Sequence, residues 1–349
     1  MAPEVVIANR AIGPGHPPYV VAELSANHGG RLEQALAVLE AAARAGAAAV
    51  KLQTYTADTI TIDHDGPEFV IKGGLWDGRR LYDLYDEAHT PWDWHAALFA
   101  KGRELGVPVF STPFDESAVD FLESLDAPAY KIASFELVDH PLIRRVAATG
   151  KPTIMSTGMA TMAEIREAVD AYREAGGDGL VLLHCVSGYP TPVEQANLRR
   201  IPALAAAFDC PIGLSDHTLG TEAAIAAVAL GAGLIEKHVT LRRADGGPDA
   251  AFSLEPEELA ALTRGTRAAF QALGSGEETR SQVETASLTF RRSLFVVQDI
   301  AAGEAFTTEN LRIIRPGHGL APRHLPEVLG RTARHALKRG TPLSWEAVQ

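Results

Sequence analysis

From Tyr19 to about Ala272, short unbroken runs of Val, Ile, Leu and Ala alternate with longer stretches whose apolar residues recur at helical spacing. The apolar runs predict strands: YVVAELS (19–25), AAVKLQT (48–54), PVFSTP (108–113), AYKIAS (129–134), PTIMST (152–157), LVLLHCV (180–186), PIGLSD (211–216) and LIEKHVT (234–240). Segments such as 31–46, 162–177 and 256–273 carry the period of amphipathic helices. Strands that are apolar on both faces belong to a parallel sheet covered by helices on both sides. Eight strand–helix units in about 250 residues match a (β/α)8 TIM barrel. An open doubly wound sheet is the alternative, but no G-x-G-x-x-G follows the first strand. The barrel is expected over 1–273, with a hairpin ahead of its first strand. One connection, from Tyr55 to His95, is longer than a single helix needs, and reads as a lid or substrate loop over the barrel mouth.

The texture changes after residue 273. GSGEETRSQVETASLTF (274–290) is polar and reads as a linker. The remaining 291–349 hold a weak internal repeat at an offset of 37 residues, pairing Ile300 with Leu337, Gly303 with Gly340 and Phe306 with Leu343. A small pseudo-symmetric domain is expected there.

Composition narrows the function classes. The chain has 349 residues and a formal charge of −12, with no basic stripe to offset it, which argues against a nucleic-acid partner. No 18-residue apolar run exists, so no membrane span is expected, and the N-terminus lacks the pattern of a signal peptide. The two cysteines, Cys185 and Cys210, lie in or beside apolar runs and read as buried free thiols in a reducing cytoplasm.

A TIM barrel places its chemistry where the strands end. Those ends carry Glu23, Ser25, Asn27 and His28; Lys51 and Gln53; Thr112, Phe114 and Asp115; Lys131, Ser134 and Glu136. They continue with Ser156, Thr157 and Gly158; His184, Ser187 and Tyr189; Ser215, Asp216 and His217; Glu236, Lys237 and His238. His217 and His238 lie 21 residues apart, one strand–helix unit. Two imidazoles on neighbouring strand ends can share a divalent cation, or each can simply bond to a loop. With only two protein ligands, an ion such as Mn²⁺ or Mg²⁺ completed by water and substrate oxygens suits better than catalytic zinc. Lys51 and Lys131 end apolar strands, where an ammonium needs an anion. That anion is either a phosphorylated ligand, held also by Thr112, Ser134, Ser156 and Ser215, or an internal carboxylate of Glu23, Glu136 or Glu236. A Schiff-base lysine of an aldolase remains a third possibility. Alternation turns Lys237 away from its neighbours, a structural position. Glu23 and Glu136 are candidate acid–base groups, Asp249 can reach the rim from its Gly/Pro loop, and His64, His95 and His335 are expected to be solvated.

The motifs AELSANHGG, VKLQTYTADT, FSTPFD, AYKIASFE, IMSTGMA, LLHCVSGYPTP, IGLSDHTLG, IEKHVTL and GPDAAFSLEP together resemble, in that order, the sialic acid synthase family. The tail IRPGHGLAP…LGRTARHALKRGTPLSWEAV is similar to its SAF domain, a β-clip or antifreeze-like module. The segment 69–95 and AELSANH resemble the pseudaminic acid synthase branch. This resemblance implies a metal-dependent condensation of phosphoenolpyruvate with an open-chain N-acetylated aminosugar, releasing phosphate. The metal implied is Mn²⁺, with Mg²⁺ or Co²⁺ as substitutes. By motif, His217 and His238 would hold it; Lys51, Thr112, Lys131, Ser134, Ser156 and Ser215 would hold phosphoenolpyruvate. Glu23, Glu136, Tyr189 and Asp249 would flank the sugar, with Phe114 beside them. Arg315 would enter a partner's barrel in a domain-swapped homodimer. Ser187 stands where neuraminate synthases carry Asn. The expected activity is pseudaminic acid synthesis, with neuraminate or legionaminate synthesis as the alternative. An ice- or glycan-binding role for the tail alone would leave the charged rim unexplained.

Overall fold

The computed structural model describes residues 3–349, which divide into two compact units with the boundary between Gly274 and Ser275. In the first unit a two-stranded hairpin, β1 (Val5–Ile7) and β2 (Arg10–Ile12), precedes eight parallel strands. These are β3 (Tyr19–Glu23), β4 (Ala49–Thr54), β5 (Val109–Pro113), β6 (Tyr130–Ile132), β7 (Thr153–Ser156), β8 (Leu180–Cys185), β9 (Ile212–Asp216) and β10 (Leu234–His238). They pair in chain order, and β10 closes onto β3. The expected TIM barrel therefore forms, with each strand within a few residues of its apolar run.

Alternation along the strands sorts the core into two parts. Val20, Val50, Leu52, Ile132, Met155, Leu182, Leu214 and Ile235 point outward and pack under the helices. Tyr19, Val21, Ala49, Phe110, Ala129, Ile154, Val181, Leu183 and Leu234 fill the interior, with Val5, Ile7 and Ile12 of the hairpin packed against them. The lower interior is thus apolar and plugged, so polar inward-facing residues are confined to the C-terminal end.

The helices are α1 (Leu32–Arg44), α2 (Ala57–Ile60), α3 (Leu81–Ala88), α4 (Trp92–Leu105), α5 (Glu116–Ser124), α6 (His140–Ala147), α7 (Met162–Glu174), α8 (Arg200–Ala207), α9 (Glu222–Ala229) and α10 (Pro256–Leu273). Local chemistry sets their starts. In α7, Thr161 and Glu164 bond reciprocally to each other's backbone amides, satisfying two otherwise free donors. The insertion before the mouth comprises α2, a 3-10 turn at Pro67–Phe69 and α3, pinned by Arg80, which bonds Asp63 (2.9 Å), Asp65 (2.6 Å) and Asp83 (2.5 Å). Trp92 and His95 belong instead to α4, an ordinary barrel helix. His95 is a correction: it is fully buried, bonded to Thr54 Oγ1 at 2.8 Å, and burial lowers its pKa to about 4.

The second unit contains α11 (Gln282–Ser287), within the stretch read as a linker, then β11 (Ser293–Val296) antiparallel to β12 (Leu311–Ile314). The 37-residue repeat becomes an approximate two-fold axis through the Ile300–Leu337 bridge, whose two residues exchange both backbone hydrogen bonds (2.9 and 2.8 Å). Each half repeats the other's contacts. Gly303 N donates to Ala333 O as Gly340 N donates to Val296 O, and the Ala305–Thr332 bridge mirrors Phe295–Pro342. Both glycines have φ near +80 to +92°, which is why each copy retains one. Among the described residues no helix is long and apolar enough to cross a membrane.

Candidate active site

At the C-terminal end of the barrel every strand delivers a polar side chain to the interior: Glu23, Lys51, Thr112, Lys131, Ser156, Cys185, Ser215 and Glu236. All are buried. The Lys51 ammonium lies 2.6 Å from Glu23 Oε2, donates to Thr112 Oγ1 at 3.1 Å and sits 3.7 Å from Glu236. Lys131 faces the same Glu236 oxygen at 3.4 Å, and Ser215 donates to it at 3.2 Å. Glu236 is therefore the hub between both lysines. Sequence had offered it only as a possible internal counter-ion.

The electrostatics follow from burial and from these neighbours. Burial pushes the Glu23 carboxyl up to about 7; Lys51 opposes that rise and Glu236 adds to it. Glu236 resists the same burial because Lys131 and Lys51 hold it below the usual carboxylate range. Burial likewise lowers Lys131, whereas for Lys51 the two carboxylates outweigh burial and raise it. Glu136, just after β6 on the turn Phe135–Val138, is pushed by burial to about 7, and its Oε2 has no hydrogen-bond partner among the described residues.

Next to the lysines lies a hydroxyl cradle. Gly158 N donates to Ser134 Oγ at 3.0 Å, and a Cβ at Gly158 would collide with the hydroxyls of both Ser187 and Ser134. Only glycine permits that approach. The buried Ser156 Oγ has no partner among the described residues. Two ammonium groups beside several free hydroxyls match a dianionic phosphate ester.

The two histidines lie on the same rim with ring centroids 5.4 Å apart. His217 Nδ1 donates to Val186 O at 3.1 Å, which leaves the Nε2 lone pair available to a cation. Burial and the positive neighbours His217, Lys51 and Lys131 keep His238 neutral, well below its usual pKa, and its Nδ1 has no hydrogen-bond partner among the described residues. Burial opposes charge on His217 too, but Cys185 and the Val186 carbonyl raise it on balance, so protons compete with a cation there. Among the described residues no three His, Cys, Asp or Glu side chains form a metal-holding group. Two ligands plus water and substrate oxygens fit this donor set.

Aromatic rings wall the histidines: Tyr189 at 4.5 Å from His217 and Phe252 at 5.0 Å from His238. Phe252 is a residue that sequence reasoning passed over, although it stands three positions after Asp249. Among the aromatic residues of the 55–95 connection, Trp76 reaches this wall, 5.5 Å from Tyr189, with its Nε1 donating to Pro248 O at 3.1 Å. Tyr85 joins Tyr55 (6.0 Å), which packs against Phe114 (4.9 Å). Trp92 stacks on Phe121 and Tyr82 bonds Asp58, both as packing contacts.

Other strand-end residues have structural partners. Asp115 caps α5, His184 points outward to Ala196 O (2.7 Å), and Thr157 bonds Leu183 O. Asn27 bonds Val239 O and Ser253, and His28 approaches Ala88 O. Asp249 accepts from Ser25 Oγ at 2.5 Å and lies 3.7 Å from His238 Nδ1, with its pKa raised by burial. Cys185 and Cys210 are both buried free thiols. Arg315 is exposed on the C-terminal unit, immediately after β12.

Residues 38–278 match the NeuB family and 291–349 match the SAF domain. Over 325 residues the chain is 44% identical to the pseudaminic acid synthase of Campylobacter jejuni subsp. jejuni serotype O:2, covering 93% of this chain and 95% of that protein. It is also 44% identical to the pseudaminic acid synthase of Helicobacter pylori, covering 95% and 98%. A crystal structure of N-acetylneuraminic acid synthetase from Leptospira borgpetersenii in complex with citrate superposes with a TM-score of 0.74 at 33% identity, covering 82% of this chain and 96% of that one.

Proposed function

The chain belongs to the NeuB family and ends in a SAF domain, and from that premise we propose that it is a pseudaminic acid synthase. It condenses phosphoenolpyruvate, water and 2,4-diacetamido-2,4,6-trideoxy-L-altrose into pseudaminic acid and phosphate. The rim carries this reading: two buried ammonium groups and a hydroxyl cradle face a pair of imidazoles on one barrel mouth. The 44% identity to two pseudaminic acid synthases supports the choice of sugar.

Lys51, Lys131, Thr112, Ser134, Ser156, Ser187 and Ser215 hold the phosphate and carboxylate of phosphoenolpyruvate. His217 and His238 would hold a divalent ion, Mn²⁺ in this proposal with Mg²⁺ or Co²⁺ able to replace it, which when bound acts as a Lewis acid on the sugar aldehyde. The enol carbon of phosphoenolpyruvate bonds to the aldehyde carbon as the carbonyl π bond opens and its oxygen takes a proton from water, and positive charge develops at C2 of phosphoenolpyruvate. The carboxylate of Glu23 stabilises that charge, while its ion pair with Lys51 fixes it in place. Glu136, with a free oxygen and a pKa of about 7, takes the proton of the water that adds at C2. The adduct collapses to the ketone, the C2–O bond breaks, and phosphate leaves with the bridging oxygen. With phosphoenolpyruvate labelled by ¹⁸O at that oxygen, all label is expected in the phosphate. Label retained in the sugar would exclude this order of bonds.

The 6-deoxy carbon and second acetamido group need flat apolar surface, which the Trp76–Tyr189–Phe252 and Tyr85–Tyr55–Phe114 clusters offer. Phosphate release is expected with 2,4-diacetamido sugars of the altro series. Selective turnover of N-acetylmannosamine or of the legionaminate precursor would move the chain to the alternative activity.

The dimer reading rests on two features. Phe135, Val138, Met159, Val193 and Leu219, from four successive loops of the barrel mouth, are all exposed. Residues 291–349 hold nine Lys and Arg against five Asp and Glu, opposite in sign to the acidic remainder. A second copy's SAF domain would cover the apolar rim and bring Arg315 to the sugar. Arg315→Ala is expected to raise the KM for sugar about tenfold or more, the scale of a lost charged hydrogen bond, with the KM for phosphoenolpyruvate little changed. Equal changes in both constants would contradict this role. The enzyme is assigned to the cytoplasm, where phosphoenolpyruvate is made.

A further inference from the structure

The pairing of β9 with β10 ends at Asp216↔Lys237. The two histidines lie one residue beyond that last pair, so no rung of this ladder ties His217 to His238. A side chain spans the gap instead. Alternation turns Lys237 outward while Glu236 and His238 face the interior. Its ammonium reaches both flanks of His217, bonding Asp216 Oδ2 at 2.6 Å and Thr218 O at 2.5 Å. The other Asp216 oxygen accepts from Thr218 N (2.9 Å) and Thr218 Oγ1 (2.8 Å), which closes the turn around the histidine. Asp216, Thr218 and Lys237 are all buried.

We propose that Lys237 and Asp216 form a clamp that sets the spacing of the two imidazoles, with Lys237 as a positioning residue for the ion site. The proposal rests on reading His217 and His238 as metal ligands. A buried ion pair is a weak source of stability, because desolvation offsets most of the attraction. Fixed geometry is a stronger reason to keep one, and groups that orient metal ligands commonly change affinity by about 10–100-fold when replaced.

The test is a Mn²⁺ titration followed by electron paramagnetic resonance on the full chain, with melting temperature and calorimetric phosphoenolpyruvate binding measured alongside. Wild type, His217→Ala, Asp216→Asn and the double variant Lys237→Met/Asp216→Asn are compared. The double variant removes both charges at nearly constant volume. It is expected to melt near the wild type, to bind phosphoenolpyruvate within twofold of it, and to bind Mn²⁺ at least about tenfold more weakly. Wild-type Mn²⁺ affinity in the folded double variant overturns the clamp and leaves the metal reading intact. Saturable binding lost in His217→Ala supports the metal reading; no saturable binding by the wild type overturns both. If the double variant does not fold, Asp216→Asn decides: weaker Mn²⁺ binding supports the clamp and unchanged binding refutes it.

Discussion

His217→Ala is expected to lower kcat for phosphate release by about a thousandfold or more while the protein stays folded. Losing Lewis-acid activation of the aldehyde removes several kcal/mol of transition-state stabilisation, and each 1.4 kcal/mol is about tenfold. Folding depends much less on this ring, whose Nδ1 bonds Val186 O and lies 3.9 Å from Cys185 Sγ, and which packs at a tilt against Tyr189. The melting temperature should fall by only a few degrees, on the scale of about 1–2 kcal/mol. Stopped assays of phosphate release with thermal melts on the same preparation check both halves. A folded variant with a near-normal kcat would remove His217 from the chemistry.

Glu136→Gln should lower kcat by about 10²–10⁴-fold, the usual worth of a positioned general base. The same variant carries a pH signature. Glu136 must be ionised to accept a proton, and burial holds its pKa at about 7. Wild-type activity should therefore fall as pH drops below 7 and plateau above it. In Glu136→Gln the limb should lose one ionisation and become shallower at a low rate, with Glu23 still titrating near 7. Glu23 shares a raised pKa near 7, but its oxygen is engaged by Lys51 at 2.6 Å, so its role is electrostatic. A shallower limb in Glu23→Gln but an unchanged one in Glu136→Gln would reverse the two assignments.

The barrel was legible because hydrophobicity and alternation act locally: a β-branched apolar run too short for a helix, set between helical segments, reads as a doubly covered strand. The same alternation aims Glu23, Lys51, Thr112, Lys131, Ser156, Ser215 and His238 inward, which is why the rim could be listed from strand ends. Glu236 was undervalued because sequence cannot say which carboxylate meets which lysine across the barrel; its hub position depends on β4, β6 and β10 converging. The Gly158 cradle escaped for a similar reason, since it is made by three separate loops. His95 shows the opposite case. It shares a buried helical stripe with Leu98, Phe99 and Gly102, so its burial was available in the 3.6-residue period of α4. Isolated histidines invite a solvated reading, and here the periodicity overrides it.

The most direct test of the central claim is turnover after complete removal of divalent ions. Chelated enzyme, supplied with phosphoenolpyruvate and the 2,4-diacetamido sugar, should release no phosphate, and stoichiometric Mn²⁺ should restore the full rate. Unchanged phosphate release from enzyme shown to be metal-free would contradict an ion held by His217 and His238.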